Sequence, residues 1–565
     1  MNKNKFFYGV LLMALVLGPV ACKDQLQVGN PNSPTLSGNV NDEAGLIALA
    51  EGSVYLGGFQ QGDGWLGDSY FSLPWGYIEL MADVVGADAA NNQVSVISLP
   101  DDITLDNSTN VTNPAHQIQN IRTNNNRAAT GANLNVLYFQ WLNMYAMNSG
   151  MNVALSRLGG ITLGGDATTR ANTIKAWCYF WKGYAYGSIG TMYYAGLITD
   201  QATGANSAVN SNYVLHDAMI YRSNYYYKQA MTLFQGITNM ADYQIEMSQL
   251  IPAQNQVGLG GSVGAVLTPA QFIQTINTLL ARNIILSKLS PFVNGNLNST
   301  ITKSSTTNMT PADWDSVLTY ANAGITTPST LVITGRSTAA NSFFTATGGT
   351  VPSLAARPNL VSTFTVQERV LQYFGAGDHR VTNNFDSSTQ YNNNYTFTTR
   401  WSLVDGGNSM PGVYTYANRT AGEYELFIAG SYEENALMLA EANIRLGNTD
   451  AGLAFVDAVR TNMGAGVPAV AGTGLTPTQA MTQLVSERRV ALLFRGVSFY
   501  DYRRWGWIYK ITNGGGAYGQ TVFYSNQLNT NATFDYDFLD YWDVPADESA
   551  LNPSTSSVAT QNPNF

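Results

Sequence analysis

Few residues in this chain have types and spacing that could do chemistry, and most of those read better as structure. Gly260-Gly261-Ser262-Val263-Gly264 matches the Gly-x-Ser-x-Gly pattern of a hydrolase nucleophile. That pattern works only when an apolar strand delivers the serine and a helix follows directly. Here Gln254-Asn255-Gln256 and glycines come first, and the next helix-opening signal is Thr268, so the run reads as a flexible glycine loop. It also lacks the Gly-Lys-Ser/Thr ending of a phosphate loop. The three histidines, His116, His216 and His379, are far apart, and there is no His-Glu-x-x-His and no cysteine pair. Neither a metal site, nor a histidine-based triad, nor a cofactor is expected. A glycosidase needs two carboxylates across a cleft, one with a raised pKa. The acids Glu441, Glu487 and Asp501 stand instead beside Arg445, Arg488, Arg489, Arg503 and Arg504, where structural ion pairs are the plainer account. No catalytic residue is assigned. A lipid-anchored glycoside hydrolase stays open as the alternative to a binding protein.

Composition narrows the ligand. Charged residues are 12% of the 565 and the formal net charge is −10, a charged share about half that of an average globular protein. With no basic stripe to neutralise phosphates, nucleic acid is excluded as a partner. A neutral polyhydroxyl ligand such as a glycan fits better, because aromatic faces pack on sugar C–H groups while amides and hydroxyls meet sugar hydroxyls. Its platforms are sought in loops. Trp65 lies in Gly62-Asp63-Gly64-Trp65-Leu66-Gly67, where glycines on both sides make a buried helical role unfavourable. Tyr391, Tyr395 and Trp401 stand among asparagines and threonines in a candidate hairpin. Trp314 shares a helical stripe with Val317, Leu318 and Ala321, which suits core packing at least as well as sugar contact.

The N-terminus carries an address. Lys3 and Lys5 precede the apolar run 6–20, too short to span a bilayer but right for a secretory signal, and Ala21-Cys22 closes it. A cysteine after such a site resembles a bacterial lipobox, with Pro19 where leucine is usual; Cys22 would then be acylated and become the first mature residue. Only Cys178 would remain, in the apolar stretch Ala176-Trp177-Cys178-Tyr179-Phe180-Trp181, as a buried inert thiol. The segment 176–198 is apolar enough to suggest a membrane span, yet Lys182, four glycines and several tyrosines argue for a core helix running into a loop. The expected attachment is therefore to outer-membrane lipid through the acyl chain alone.

Helices must position whatever binds. Leu437, Leu439, Ala440, Ile444 and Leu446 form an apolar stripe ending at Gly447, suited to a left-handed cap. Thr476-Pro477-Thr478-Gln479 and Thr268-Pro269-Ala270-Gln271 each combine an N-cap, a proline at the first helical position and a capping-box glutamine. Further helices are expected from Asp42, around 78–84, and over 133–158, 168–189, 216–237 and 366–374. Stretches 243–263 and 290–359 read as Gly/Asn/Ser/Thr loops. The expected architecture is mostly α, built of helical hairpins. It comprises a signal peptide at 1–21, a tether at 22–42 and one domain at 43–565. That domain has a helical core at 43–237 and 364–508, a loop-rich insertion at 238–363 and an irregular tail at 509–565.

The stretch 431–507 carries a more specific message. Leu439-Ala440-Glu441-Ala442, Glu487-Arg488, Phe494-Arg495-Gly496 and Asp501-Tyr502-Arg503-Arg504-Trp505 resemble the helical signature of the SusD/RagB family of Bacteroidetes outer-membrane lipoproteins. Asp378-His379-Arg380 is similar to its Asp-Pro-Arg element, with His in place of Pro. Val544-Pro545-Ala546-Asp547-Glu548, Asn552-Pro553 and Gln561-Asn562-Pro563 are similar to its closing segment, and Asn30-Pro31-Asn32 and Met81-Ala82-Asp83 also fit. Lys23-Asp24 looks like the short charged signal that sends such lipoproteins to the cell surface. The resemblance implies a tetratricopeptide-like helical solenoid, lipid anchorage at the outer membrane, and glycan capture for a SusC-like TonB-dependent transporter. The family's ligand-contacting loops vary, so no binding residue is carried over from it.

Overall fold

The computed structural model describes residues 40–59, 73–87, 99–113, 138–202, 209–252, 256, 266–289, 292–293, 296–297, 308–336, 364–387, 391–392, 397–403 and 425–564. Most of them are helical. In order come α1 (Glu43–Phe59), α2 (Leu73–Leu80), α3 (Tyr138–Leu158), α4 (Ala167–Met192), α5 (His216–Gln235), α6 (Met240–Leu250), α7 (Pro269–Ser287) and α8 (Pro311–Asn322). After these come α9 (His379–Asn384), α10 (Tyr432–Arg445), α11 (Thr449–Asn462), α12 (Pro477–Ala491), α13 (Ser498–Arg504) and α14 (Ala546–Leu551). The helices pack in succession, α3 on α4, α4 on α5, α5 on α7, α7 on α8, α8 on α10, and α10 on α11 and α12. This is the expected helical-hairpin solenoid.

Local sequence accounts for the helix starts. Thr268 with Gln271 and Thr476 with Gln479 close full capping boxes ahead of α7 and α12, and Thr310 with Asp313 does the same for α8. The turn after α10 runs through Gly447 at φ +89°, the left-handed geometry its position called for. The most extensive pairing is α4 on α5. A Cβ on Gly183 would sit 2.6 Å from Cδ1 of Tyr227, so only glycine lets the two helices approach this closely. Behind that contact the Phe234 and Phe272 rings stack 4.6 Å apart, and Trp177 and Trp181 meet edge to face at 5.5 Å. Cys178 is buried on the same helix, its thiol pushed up to about 12 by burial, which makes it inert as expected. Among the described residues no helix is long and apolar enough to cross a membrane.

Three local expectations change. The stretch 243–263 begins with α6, capped by Asn239, whose Tyr243, Met247 and Leu250 form a buried stripe that the surrounding polar residues disguise. The stretch 366–374 forms a 3-10 helix over Glu368–Tyr373 rather than an α-helix. The tail is not irregular throughout. An antiparallel sheet uses β1 (Asp102–Thr104), β2 (Asn110–Thr112), β3 (Tyr391–Asn392), β4 (Phe397–Thr399), β5 (Ala517–Tyr524) and β6 (Gln527–Asp535), in the order β3-β4-β5-β6-β1-β2. Its long hairpin, β5 and β6, turns at Ser525-Asn526, both at positive φ, as a two-residue hairpin turn requires. Register shifts beside Gln520 break the two-residue alternation that would have announced these strands.

Candidate functional site

The acids and arginines of the signature stretch converge in the interior. Arg504 on α13 donates from Nη1 to Oε1 of Glu441 on α10 at 2.7 Å, and from Nε to Oδ1 of Asp501 at 2.6 Å. Arg488 on α12 grips the same Asp501 through Nε at 2.9 Å and Nη2 at 3.1 Å. Its neighbour Glu487 accepts from Arg380 Nη1 at 2.6 Å and from Arg460 Nε at 2.9 Å, while Arg380 Nη2 also donates to Asp378 at 2.7 Å. Burial alone would raise the Glu441 carboxyl, but Arg504, with Arg445 and Arg488, overrides it and brings the pKa down to about 2. Glu441 and Asp501 are paired with arginines the sequence put beside them, Glu487 pairs instead with Arg380 and Arg460, and together these acids bind helices to each other.

The Phe494-Arg495-Gly496 turn has a similar explanation. Phe494 adopts φ +58°, and the carboxylate of Glu79 on α2 holds the turn by accepting from Phe494 N–H at 3.4 Å, Gly496 N–H at 3.0 Å and Ser498 Oγ at 2.7 Å. Burial still pushes Glu79 up to about 7 against those donors. Arg503 donates to the backbone carbonyls of Thr191, Asp540 and Leu286, tying the ends of α4 and α7 to the tail.

The aromatic candidates do not assemble into one platform among the described residues. Trp314 is 5% exposed on α8, with Arg445 5.8 Å above its ring, so it packs in the core. Trp401 is part-buried behind β4, its indole N–H donating to Glu368 Oε1 at 3.3 Å; Arg400 Nε binds the same carboxylate at 2.9 Å. Tyr391 lies in β3 opposite Thr399, which gives the expected hairpin its backbone. Cys22, Trp65 and Tyr395 lie outside the described residues.

A cleft of about 710 Å³ opens elsewhere, between the start of α5, the end of α7, the first turns of α8 and the tail. The His216 and Tyr541 rings stack at 3.9 Å and 11° to make one wall, and Tyr194 meets His216 edge-on at 6.4 Å. Tyr221 stands at the cleft 73% exposed. Asn224, Asn308 and Asn564 supply amides, and Asp217, Asp313, Asp540 and Lys288 supply charge. Nδ1 of His216 lies 3.0 Å from Asp217 Oδ1, and that ring holds the Asp217 carboxyl below the usual range against partial burial. Burial shifts Asp540 the other way, although Tyr541 N–H at 2.7 Å and the Asn562 amide at 2.9 Å both donate to its Oδ1. Tyr541, 5% exposed, keeps its hydroxyl buried with no hydrogen-bond partner among the described residues. Among the described residues no group of three or more His, Cys, Asp or Glu could hold a metal. Chemically the cleft offers stacking faces and hydrogen bonds.

Sequence reasoning passed over this cleft. A signal was available on α5, where Met219, Ser223, Tyr226, Tyr227, Ala230 and Phe234 set the buried phase and Tyr221 and Tyr225 fall outside it.

Residues 380–565 match the family model described as the SusD family. The signature arginines and acids above, from Arg380 to Arg504, fall inside that match. The fold agrees across more of the chain. A SusD-like carbohydrate binding protein from Bacteroides vulgatus superposes with TM-score 0.51 at 12% identity, covering 92% of this chain and 98% of its own. A candidate sugar-binding protein from the same organism gives TM-score 0.55 at 13% identity, covering 93% and 99%. A third B. vulgatus structure, a SusD superfamily protein, gives 0.50 at 14%, covering 83% and 89%. At these identities the likeness is one of fold. No curated protein matches the chain.

Proposed function

We propose that this chain is a glycan-binding lipoprotein of the outer-membrane surface that captures oligosaccharide or polysaccharide and passes it to a SusC-like TonB-dependent transporter. The observation that carries the reading is the cleft. Exposed Tyr221 and the His216–Tyr541 stack stand beside amides and carboxylates, the pairing of apolar face and hydrogen-bonding groups that a sugar demands. It stands on a fold shared with a SusD-like carbohydrate binding protein. Anchorage is assigned to Cys22, after the apolar run 6–20. A chain held by lipid alone needs a channel to move its cargo, which is why a barrel transporter is the proposed partner.

A binding screen of the purified mature chain against polysaccharides tests the reading. Expected are hits of modest affinity that change little with salt, because stacking and neutral hydrogen bonds dominate. Steady release of reducing ends by the pure protein would favour the glycoside hydrolase instead. Cys22→Ala should lose its acyl label and leave the membrane fraction, and its retention there would remove the anchor. A pull-down on a tagged copy after gentle extraction should bring a stoichiometric β-barrel, with an interface above the ~1,600 Å² of an ordinary complex. Ligand uptake that persists without any barrel transporter would sink that partner.

A further inference from the structure

The cleft carries an unbalanced charge. Among the described residues three carboxylates, Asp217, Asp313 and Asp540, line it against one ammonium, Lys288, whose Nζ already lies 3.7 Å from Asp313 Oδ1. Another cation, Arg503, sits 4.8 Å from the Tyr541 ring centre, and its Nη atoms donate to backbone carbonyls. Asp217, with a side chain 75% exposed, lies 3.0 Å from the His216 ring, and Lys288 attracts the same carboxylate from farther off. A ligand anion entering here meets more carboxylates than cations among the described residues. The Tyr541 ring lines the same cleft, and its buried hydroxyl has no hydrogen-bond partner among the described residues.

We propose that this cleft selects saccharides by charge, taking neutral or amine-bearing sugars and rejecting uronate- and sulfate-bearing ones. Tyr221 is the stacking face, Tyr541 hydroxyl the partner of a sugar hydroxyl, and Asp217 the element that repels anions. This rests on the glycan-capture reading and names the class of glycan for it. Two like charges about 5 Å apart, at an effective dielectric between that of water and a protein surface, set a discrimination of about tenfold or more. Because Asp217 is exposed, that discrimination shrinks as salt is added.

The test is a glycan array holding neutral, amine-bearing, uronate-bearing and sulfated oligosaccharides, read with the mature chain at low and high salt and followed by titration of the strongest ligand. Expected are neutral or amine-bearing hits only. Tyr221→Ala should weaken them about tenfold while its melting temperature stays unchanged, because the ring is exposed. Tyr541→Phe, which keeps the ring on His216, should weaken them about threefold to tenfold. Asp217→Asn should narrow the gap between neutral and uronate-bearing ligands about tenfold at low salt. Anionic glycans bound as tightly as neutral ones would overturn the charge rule. Glycan binding that ignores Tyr221→Ala and Tyr541→Phe would overturn the cleft assignment and leave glycan capture standing. Binding to nothing on the array would overturn both.

Discussion

The signature region and the cleft use the same side chains in opposite ways. In the interior around α10, α12 and α13, Glu441, Glu487 and Asp501 are each held by arginines within 2.9 Å. At the cleft, Asp217 is exposed beside a histidine ring and the Tyr541 hydroxyl has no partner among the described residues. A buried charge costs several kcal/mol unless paired, so each residue of the first set requires another residue of the same chain. The second set requires only whatever enters from outside. The residues of the signature stretch therefore report how the helices are fastened, and a ligand is sought where polar groups line an open cleft.

The sharpest way to break this comparison is to remove one partner from the buried network. Arg504→Ala leaves Glu441 and Asp501 short of a cation in the interior, and unfolding in urea should show a loss of about 3–5 kcal/mol. The double variant Glu441→Leu, Arg504→Leu should recover much of that, since an apolar pair avoids the desolvation penalty. Glycan affinity of the folded protein should not change in either variant. A loss below about 1 kcal/mol for Arg504→Ala would mean that the network is not what fastens these helices.

The same asymmetry explains how far the sequence could be read. Glu441, Glu487, Asp501 and their arginines were legible as ion pairs because charges at helical spacing must find partners inside the chain. The Thr-Pro-x-Gln openings of α7 and α12 were legible because capping is local. Helix α6 was hidden because its buried stripe of Tyr243, Met247 and Leu250 is diluted by Gln, Glu and Ser, and tertiary packing rather than propensity decides it. Strands β5 and β6 were hidden by the bulges near Gln520. The cleft was least legible, since Tyr194, Tyr221, Asp313 and Tyr541 come from separate elements and only the fold brings them together. Trp314 shows the converse error risk, an aromatic that looks available and is packed away.

A buried acid outside the signature sharpens the point. Glu246 on α6 shares the single guanidinium of Arg170 with Glu43 and Asp242, the Arg170 Nη1–Glu246 Oε1 distance being 3.3 Å. Burial, then Glu43 and Asp242, push Glu246 up to about 8 against the pull of Arg170. Folding thus favours the protonated acid, so its contribution is fully present below about pH 4.5 and is lost as pH rises through about 8. Glu246→Gln keeps the neutral form at every pH. It should match the parent at pH 4.5 and exceed it by on the order of 1–3 kcal/mol above pH 8, measured by urea unfolding at both. Equal stability at both would place Glu246 among the fully paired acids.

The smallest effect is the most discriminating, because the comparison fixes its sign. If the Tyr541 hydroxyl is held ready for a ligand, it is an unpaired buried polar group in the free protein and costs stability there. Removing it with Tyr541→Phe leaves the ring on His216 at the same 3.9 Å stacking distance, so packing should survive. The variant should then be as stable as the parent or up to about 1 kcal/mol more stable, while its glycan affinity falls. Ordinary structural hydroxyls behave the other way, losing stability with no effect on ligand. A loss of more than about 1 kcal/mol with unchanged binding would mean that the hydroxyl has a partner in the folded chain. Tyr541 would then belong with Glu441 and Arg504 as a fastening, and the cleft would lose a buried group that the described residues leave without a partner.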